Sequence, residues 1–460
     1  ARRVLEKITD ADLSDEAFPY LGCRKIELGD GVAARCLRLG FVGELSYELH
    51  VGASYARYVW DLLWEAGAEY GIRPFGLEAQ NCLRAEKGHV IIGTESEQRV
   101  TLIDIGMGWL WDREDTASGK VGAAALRYCE QQSGRLKLVG LRVDDGDMVH
   151  RPEDGALVVD GDRIAGFVCT TRHSETLGWQ YGLALVEDRL ADRGRALDLY
   201  ESLGGRTVRS TATVVPPHFY DPKGQRLRTA PEGRPPRSGG APSQPAPAAH
   251  RRSPVRFDAA PARTERRAGW NVVLDYESDR APADALRQAC LIDLSHRARW
   301  DAQHRDIRTV RPFGLDVPRT PGEVAIRDGL MINRMNGTQA SIWHVGPGAA
   351  PAMPDGPHYT DTTDSYCWLA LLGDAVPEVL ESVTDLDLLD PVRARPFLTQ
   401  GPILHVPCQI VTWWDDAALL TCSRGYAPTL VEALLESGRH AGLRPAGERI
   451  FTDWRRALKS

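Results

Sequence analysis

Two ten-residue stretches, one at the start of the chain and one far downstream, are nearly the same. Val4-Leu5-Glu6-Lys7-Ile8-Thr9-Asp10-Ala11-Asp12-Leu13 and Val379-Leu380-Glu381-Ser382-Val383-Thr384-Asp385-Leu386-Asp387-Leu388 agree at seven of ten positions, and Ile8/Val383 is conservative. The match resumes in the same order. Leu63-Trp64-Glu65-Ala66-Gly67, then Gly71-Ile72-Arg73-Pro74, parallels Leu434-Leu435-Glu436-Ser437-Gly438, then Gly442-Leu443-Arg444-Pro445. Ordered self-similarity marks a duplicated structural unit. The chain therefore has to fold as two copies of one architecture.

The break between the copies is legible. From Pro222 to Pro254 the apolar period disappears and Pro, Gly, Ala and Arg dominate. Such a stretch cannot bury a core, so residues 222–254 are expected to form a disordered linker. Units 1–221 and 255–460 follow, which suits 460 residues, because single cores rarely grow beyond about 250.

Within the first unit the apolar period changes along the chain. Leu37, Leu39 and Phe41, then Tyr47, Leu49 and Val51, alternate as strands do. Tyr55, Tyr58, Val59, Leu62, Leu63 and Ala66 recur at helical spacing, with Ser54 as N-cap and Gly67 near the end. A second helix is predicted over Leu77–Lys87, closed by Gly88. Beyond about Gly119 come short strands, at Leu138–Val143, Ala156–Val159, Tyr181–Val186 and Thr207–Val215, which read as a small antiparallel barrel or sandwich. Domains are expected at 1–118, 119–221 and 255–460.

Composition mainly excludes. The net charge is −7 and the only basic run lies in the linker, so nothing argues for nucleic acid. No stretch approaches the roughly 18 apolar residues of a membrane span. The nine cysteines are scattered without a CxxC pair, which reads as reduced cytoplasmic thiols with no metal site. No GxGxxG follows a strand, so no dinucleotide site is argued.

Gly40-Phe41-Val42-Gly43-Glu44-Leu45-Ser46-Tyr47-Glu48-Leu49-His50 resembles a strand of the glycine-cleavage aminomethyltransferase family. Gly71-Ile72-Arg73-Pro74-Phe75-Gly76-Leu77 and Leu83-Arg84-Ala85-Glu86-Lys87-Gly88-His89 are similar to its next two segments. The spelling is closest to the C-terminal part of the sarcosine oxidase α subunit and its dimethylglycine dehydrogenase relatives. Thr176-Leu177-Gly178, Gly182-Leu183-Ala184-Leu185-Val186 and Phe219-Tyr220-Asp221-Pro222 resemble the family's barrel. Ile292-Asp293-Leu294-Ser295-His296 resembles the first strand and turn of an aminomethyltransferase N-lobe, and the whole of 255–460 resembles the sarcosine oxidase γ subunit, a diverged relative of the same fold. An iron–sulfur maintenance branch is disfavoured, because its Lys-Gly-Cys-Tyr segment reads Lys87-Gly88-His89-Val90 here.

The resemblance implies an α+β chain: part of a folate-binding domain, a β-barrel, then a second, diverged folate-binding-like domain. It implies a tetrahydrofolate site using Glu48, Phe41, Glu44 and Tyr220. The glutamate matching Glu48 would grip the two N–H groups of a pterin edge, a two-pronged bond of the stronger kind. Taken alone, Glu48 reads as a solvated carboxylate, Phe41 as packing, Glu44 as a turn residue and Arg84/Glu86 as a helix-face ion pair. The repeat sets Leu419 opposite Glu48. The family's catalytic aspartate lies in an N-terminal lobe expected to precede Ala1, so no catalytic residue is assigned. Flavin and NAD are expected only on preceding or partner segments, the partner being a flavoprotein subunit. The implied function is capture of an imine as 5,10-methylenetetrahydrofolate in an N-demethylating enzyme, or alternatively a non-catalytic scaffold of one. The chain alone is expected to be inactive.

Overall fold

The computed structural model describes residues 1–96, 99–114, 120–144, 152–228, 249–279 and 285–458. Two compact units emerge. One contains residues 1–28, 33–50 and 63–244; the other contains 29–32 and 51–62 together with 245–460. The expected linker lies largely outside the described residues. At its near end Gln225–Arg228 forms a helical turn with Leu227 buried.

The chain opens with a helical turn, Arg2–Leu5, and a three-stranded sheet of β1 (Cys23–Leu28), β2 (Val32–Leu37) and β3 (Glu48–Val51), in that order. In β2 every second residue is buried, as its Val32, Ala34 and Cys36 require. The strand expected to continue through Leu39 and Phe41 stops at Leu37; residues 38–47 are a loop. Its glycines explain the stop. Gly43 has φ +84°, and a Cβ on Gly40 would sit 2.5 Å from the Glu44 carbonyl oxygen. Alternation alone cannot register such a turn.

The helix after β3 spans Ala56–Gly67, preceded by a 3-10 turn at Ala53–Tyr55. Ser54 does not cap it: the hydroxyl accepts a hydrogen bond from Arg251 Nε at 2.7 Å. The second helix spans Leu77–Lys87 as predicted, and Gly88 ends it at φ +76°. The Gly88 and His89 amides donate to the carbonyls of Ala85 and Arg84, both at 2.9 Å, closing the last turn.

The barrel is closed, so the sandwich alternative falls away. β4 (Leu136–Val143), β5 (Leu157–Asp160), β6 (Arg163–Ser174), β7 (Trp179–Glu187), β8 (Ala196–Leu203) and β9 (Arg206–Val215) close in the order β4-β7-β6-β5-β8-β9. Every pairing is antiparallel. Strands β6 and β8 went unpredicted. The interior is aliphatic, including Leu141, Val158, Val186, Leu199 and Val214.

The other unit starts with a hairpin, β10 (Pro261–Arg267) and β11 (Trp270–Tyr276). Its further strands are β12 (Cys290–Asp293), β13 (Arg299–Gln303), β14 (Val324–Arg327), β15 (Leu330–Arg334), β16 (Gln339–His344) and β17 (Tyr359–Asp361). Then come β18 (Tyr366–Leu372), β19 (Phe397–Ile403), β20 (Val406–Trp414), β21 (Ala417–Ser423) and β22 (Arg444–Ala446). They form a six-stranded sheet, β19-β20-β21-β18-β12-β22, and a five-stranded sheet, β14-β15-β16-β13-β17. Alternate residues of the six-stranded sheet serve two cores. Leu369, Leu371, Ile410 and Leu420 pack with helices Val376–Val383 and Ala427–Ser437. Trp368, Ala370, Val411 and Leu419 pack with Met331, Trp343 and helix Glu448–Ala457.

The repeat is present in three dimensions. β21, a 3-10 turn at Arg424–Tyr426 and helix Ala427–Ser437 reproduce β3, Ala53–Tyr55 and Ala56–Gly67 in the register set by Gly438 and Gly67. Both helix ends use the same device. A Cβ on Gly67 would lie 2.7 Å from Ile72, and one on Gly438 would lie 2.7 Å from Leu443.

Candidate functional site

Three loops of the leading unit are knitted together around the C-terminus of helix Leu77–Lys87. Free carbonyls at a helix end need donors, and here a chain segment supplies them. The Phe219 and Tyr220 amides donate to the Glu86 carbonyl at 3.1 and 2.9 Å. The His218 ring nitrogen Nδ1 lies 3.0 Å from the Lys87 carbonyl. A Cβ on Gly88 would sit 2.2 Å from the Pro217 carbonyl oxygen, so only glycine permits this approach.

Lys87 is buried and carries the contact onward. Its ammonium donates to the Asp221 carbonyl and lies 3.1 Å from the Asp221 carboxylate. Asp221 also accepts the Gln225 and Arg226 amides at 3.0 Å each. Burial opposes ionisation of that carboxylate, but the Arg226 amide and the Lys87 ammonium outweigh it and hold its pKa below the usual value. On the opposite side the Lys87 stem packs on Gly43, which orients the loop 40–47.

Three of the four predicted site residues belong to this knot. The Tyr220 hydroxyl donates to Glu44 Oε1 at 2.7 Å, and Arg226 lies 3.3 Å from the same oxygen. Burial, then the bond to Glu44, raises the Tyr220 pKa. The Phe41 carbonyl lies 2.8 Å from His89 Nδ1, with the two rings 6.2 Å apart. Burial lowers the His89 pKa, which favours the neutral imidazole. Glu44 and Tyr220 therefore satisfy each other, and a ligand would have to share or displace that bond.

Glu48 stands apart. Neighbouring residues on β3 point to opposite faces. Tyr47 is half-buried and accepts a hydrogen bond from Arg2 at 3.1 Å, while Glu48 and His50 are exposed. The Glu48 side chain is 50% exposed and its one partner among the described residues is His50, at 3.4 Å. One carboxylate oxygen, Oε2, faces the His50 ring, and the other has no partner among the described residues. The expected Arg84–Glu86 pair does not form, since residues two apart on a helix do not face each other. Arg84 instead meets the buried Glu95 at 2.7 Å. Lys87, His89 and Asp221 were part of the recognised motifs but carried no assigned role, and Arg226 gave no signal at all.

In the trailing copy the counterpart of Glu48 is Leu419, 1% exposed and flanked by Ala370 and Val411. Among the described residues no group of three or more His, Cys, Asp or Glu is placed to hold a metal ion, and no helix is long and apolar enough to cross a membrane.

Comparison with known proteins places these features. Residues 1–114 match the family model for the GCVT N-terminal domain, and residues 137–221 match that for the glycine cleavage T-protein C-terminal barrel domain. A sarcosine oxidase subunit alpha from Rhizobium meliloti is 35% identical over 240 residues, covering 49% of this chain and 23% of that protein. An aminomethyltransferase from Caldanaerobacter subterraneus is 30% identical over 222 residues, covering 48% of this chain and 56% of that protein. The crystal structure of glycine cleavage system aminomethyltransferase T from Bartonella henselae aligns at a TM-score of 0.38 with 21% identity, over 49% of this chain and 57% of that one. The chain thus spans about a quarter of the sarcosine oxidase subunit alpha and a little over half of the aminomethyltransferase it matches.

Proposed function

Residues 1–114 and 137–221 belong to the glycine-cleavage T-protein (aminomethyltransferase) family, and on that premise we propose that the leading unit is a tetrahydrofolate-binding, one-carbon-transfer module. The observation carrying this reading is the half-exposed Glu48 carboxylate beside the knotted loop 40–47, held among the described residues by one long contact to His50 at 3.4 Å. With the 3.4 Å contact to His50 given up, the two carboxylate oxygens suit the 2-amino and ring N–H groups of a pterin, and such paired, charge-assisted bonds are strong and directional. The Phe41 ring supplies an apolar surface on the same loop. Placement is the main task here: a bound nucleophilic nitrogen held near an imine and shielded from water gains most of its rate from proximity. Tetrahydrofolate takes up the methylene group of the imine, giving 5,10-methylenetetrahydrofolate and the free amine. The imine would come from a flavoprotein segment or partner, as in sarcosine oxidase-like assemblies, and the site's remaining wall from residues outside this chain.

The trailing unit is a second copy that has lost this chemistry, because Leu419 fills the equivalent position from within a core. The test is calorimetric titration of tetrahydrofolate into the full natural protein. Glu48→Gln keeps the shape and removes the charge, and should weaken binding at least about tenfold, a difference of about 1.4 kcal/mol. Unchanged affinity in that variant would refute the site.

A further inference from the structure

We propose that the trailing unit carries a separate binding site for a small organic anion bearing phosphate or carboxylate groups, in the cavity between β11 and residues 250–256. The cavity has a volume of about 350 Å³, within the range of small-molecule sites, roughly 300–1,000 Å³.

Its charge is lopsided. His250, Arg251, Arg252, Arg256 and His296 line it against a single carboxylate, Asp293. That carboxylate is occupied, accepting from Ser253 Oγ at 2.6 Å and from the Ser295 amide at 2.9 Å. Arg251 is neutralised by Asp364 at 2.8 Å and lies 4.3 Å over the Trp270 ring. Two guanidiniums remain. The Arg252 side chain meets, among the described residues, the His250 ring at 3.5 Å, while its backbone N–H donates to the Ser54 carbonyl at 2.9 Å and its carbonyl accepts from Arg424. Arg256 is exposed and meets no hydrogen-bond or ion-pair partner among the described residues. Paired guanidinium forks match the geometry of phosphate and carboxylate oxygens.

A second, independent observation points the same way. Trp270 is 2% exposed, and its indole N–H has no acceptor among the described residues, as is also the case for Trp343 and Trp368; of the three, Trp270 lines this cavity. Buried donors without partners are rare in native proteins and call for an explanation. An acceptor oxygen on a bound molecule would satisfy this one. Val255, Val272 and Tyr276 are also buried in the lining and give the site an apolar floor. The occupant therefore has a compact apolar body, an acceptor and an anionic head. This site is opposite in sign to the Glu48 position and does not depend on the folate reading.

The experiment is calorimetric titration of the full chain at low salt with inorganic phosphate, pyrophosphate and citrate. At least one probe should bind one-to-one with a dissociation constant near or below about 1 mM, and the stronger of pyrophosphate and citrate identifies the preferred head group. Arg252→Ala/Arg256→Ala, which changes only exposed or partly exposed side chains, should weaken that binding at least about tenfold. Trp270→Phe keeps the ring, removes the donor and should weaken it about threefold or more. Arg308→Ala, which removes an exposed arginine held by Asp306, should change nothing. The proposal is overturned if no probe binds, if the double variant binds as the parent does, or if Arg308→Ala loses as much.

Discussion

Glu48 and Leu419 occupy one position in two copies of a fold, and their surroundings account for the difference. Glu48 lies on the exposed face of β3, whereas Leu419 sits in β21 between Ala370 of β18 and Val411 of β20. A carboxylate is inexpensive at the first position and prohibitive at the second. Exchange should therefore be asymmetric. Glu48→Leu should shift stability by no more than about 0.5 kcal/mol, the usual surface range. Leu419→Glu should cost more than about 3 kcal/mol, because it buries an unpaired charge. Urea titration followed by circular dichroism measures both, and comparable losses would show that the two positions are not distinguished by burial. A related asymmetry surrounds Glu95, which is fully buried, pairs with Arg84 at 2.7 Å and accepts the Ile91 amide at 2.8 Å. Glu95→Ala should destabilise the leading unit by about 3–5 kcal/mol by stranding the guanidinium; a melting temperature within a degree of the parent would contradict that.

At the level of elements, the helix Leu77–Lys87 depends on one residue for its ending. Gly88 combines a left-handed φ of +76° with a 2.2 Å approach to the Pro217 carbonyl. Gly88→Ala meets both obstacles and should cost at least about 1–2 kcal/mol from the backbone conformation alone, with a further loss as Phe219 and Tyr220 are pushed off the Glu86 carbonyl. If thermal melts show no loss, the helix end tolerates a Cβ and the close packing is not required. This helix was legible from sequence through its closing glycine, which ends it where expected. The loop 38–47 was not, because Leu37, Leu39 and Phe41 alternate like a strand while Gly40 and Gly43 impose a turn through backbone geometry. Motif resemblance pointed to Glu44 and Tyr220 separately, but their mutual hydrogen bond is a tertiary event 176 residues apart in sequence. Arg226 falls in a stretch whose composition reads as linker, so its contact with Glu44 had no local signal. The repeat was the most legible feature, since its glycines mark helix ends in both copies.

At the scale of the whole molecule, the barrel interior and the two faces of the six-stranded sheet form separate cores, so perturbations in one unit should be readable against the other. Glu448 offers the sharpest such perturbation. It is 1% exposed at the first turn of helix Glu448–Ala457, where a negative charge also suits the helix dipole. Its oxygens meet Arg297, Arg267 at 2.6 Å and His296 at 3.4 Å. Burial resists ionisation, but the His296 bond and the Arg297 and Arg267 charges dominate and hold the pKa well below the ordinary 4.5. A carboxylate depressed by folding stabilises the native state at every pH above its unfolded pKa, and that contribution drains away as pH falls through the folded value. The trailing unit should therefore lose stability progressively as pH drops below about 4.5. Glu448→Gln should be destabilised by about 3–5 kcal/mol at neutral pH, because Arg297 is left buried without a counter-charge. The same variant should have a flatter acid limb, since the group that titrates is gone. Calorimetric scans between pH 3 and pH 7 would resolve this, with the barrel's transition as an internal reference. An acid limb as steep in Glu448→Gln as in the parent would assign the sensitivity to other carboxylates and leave the buried network a purely geometric role.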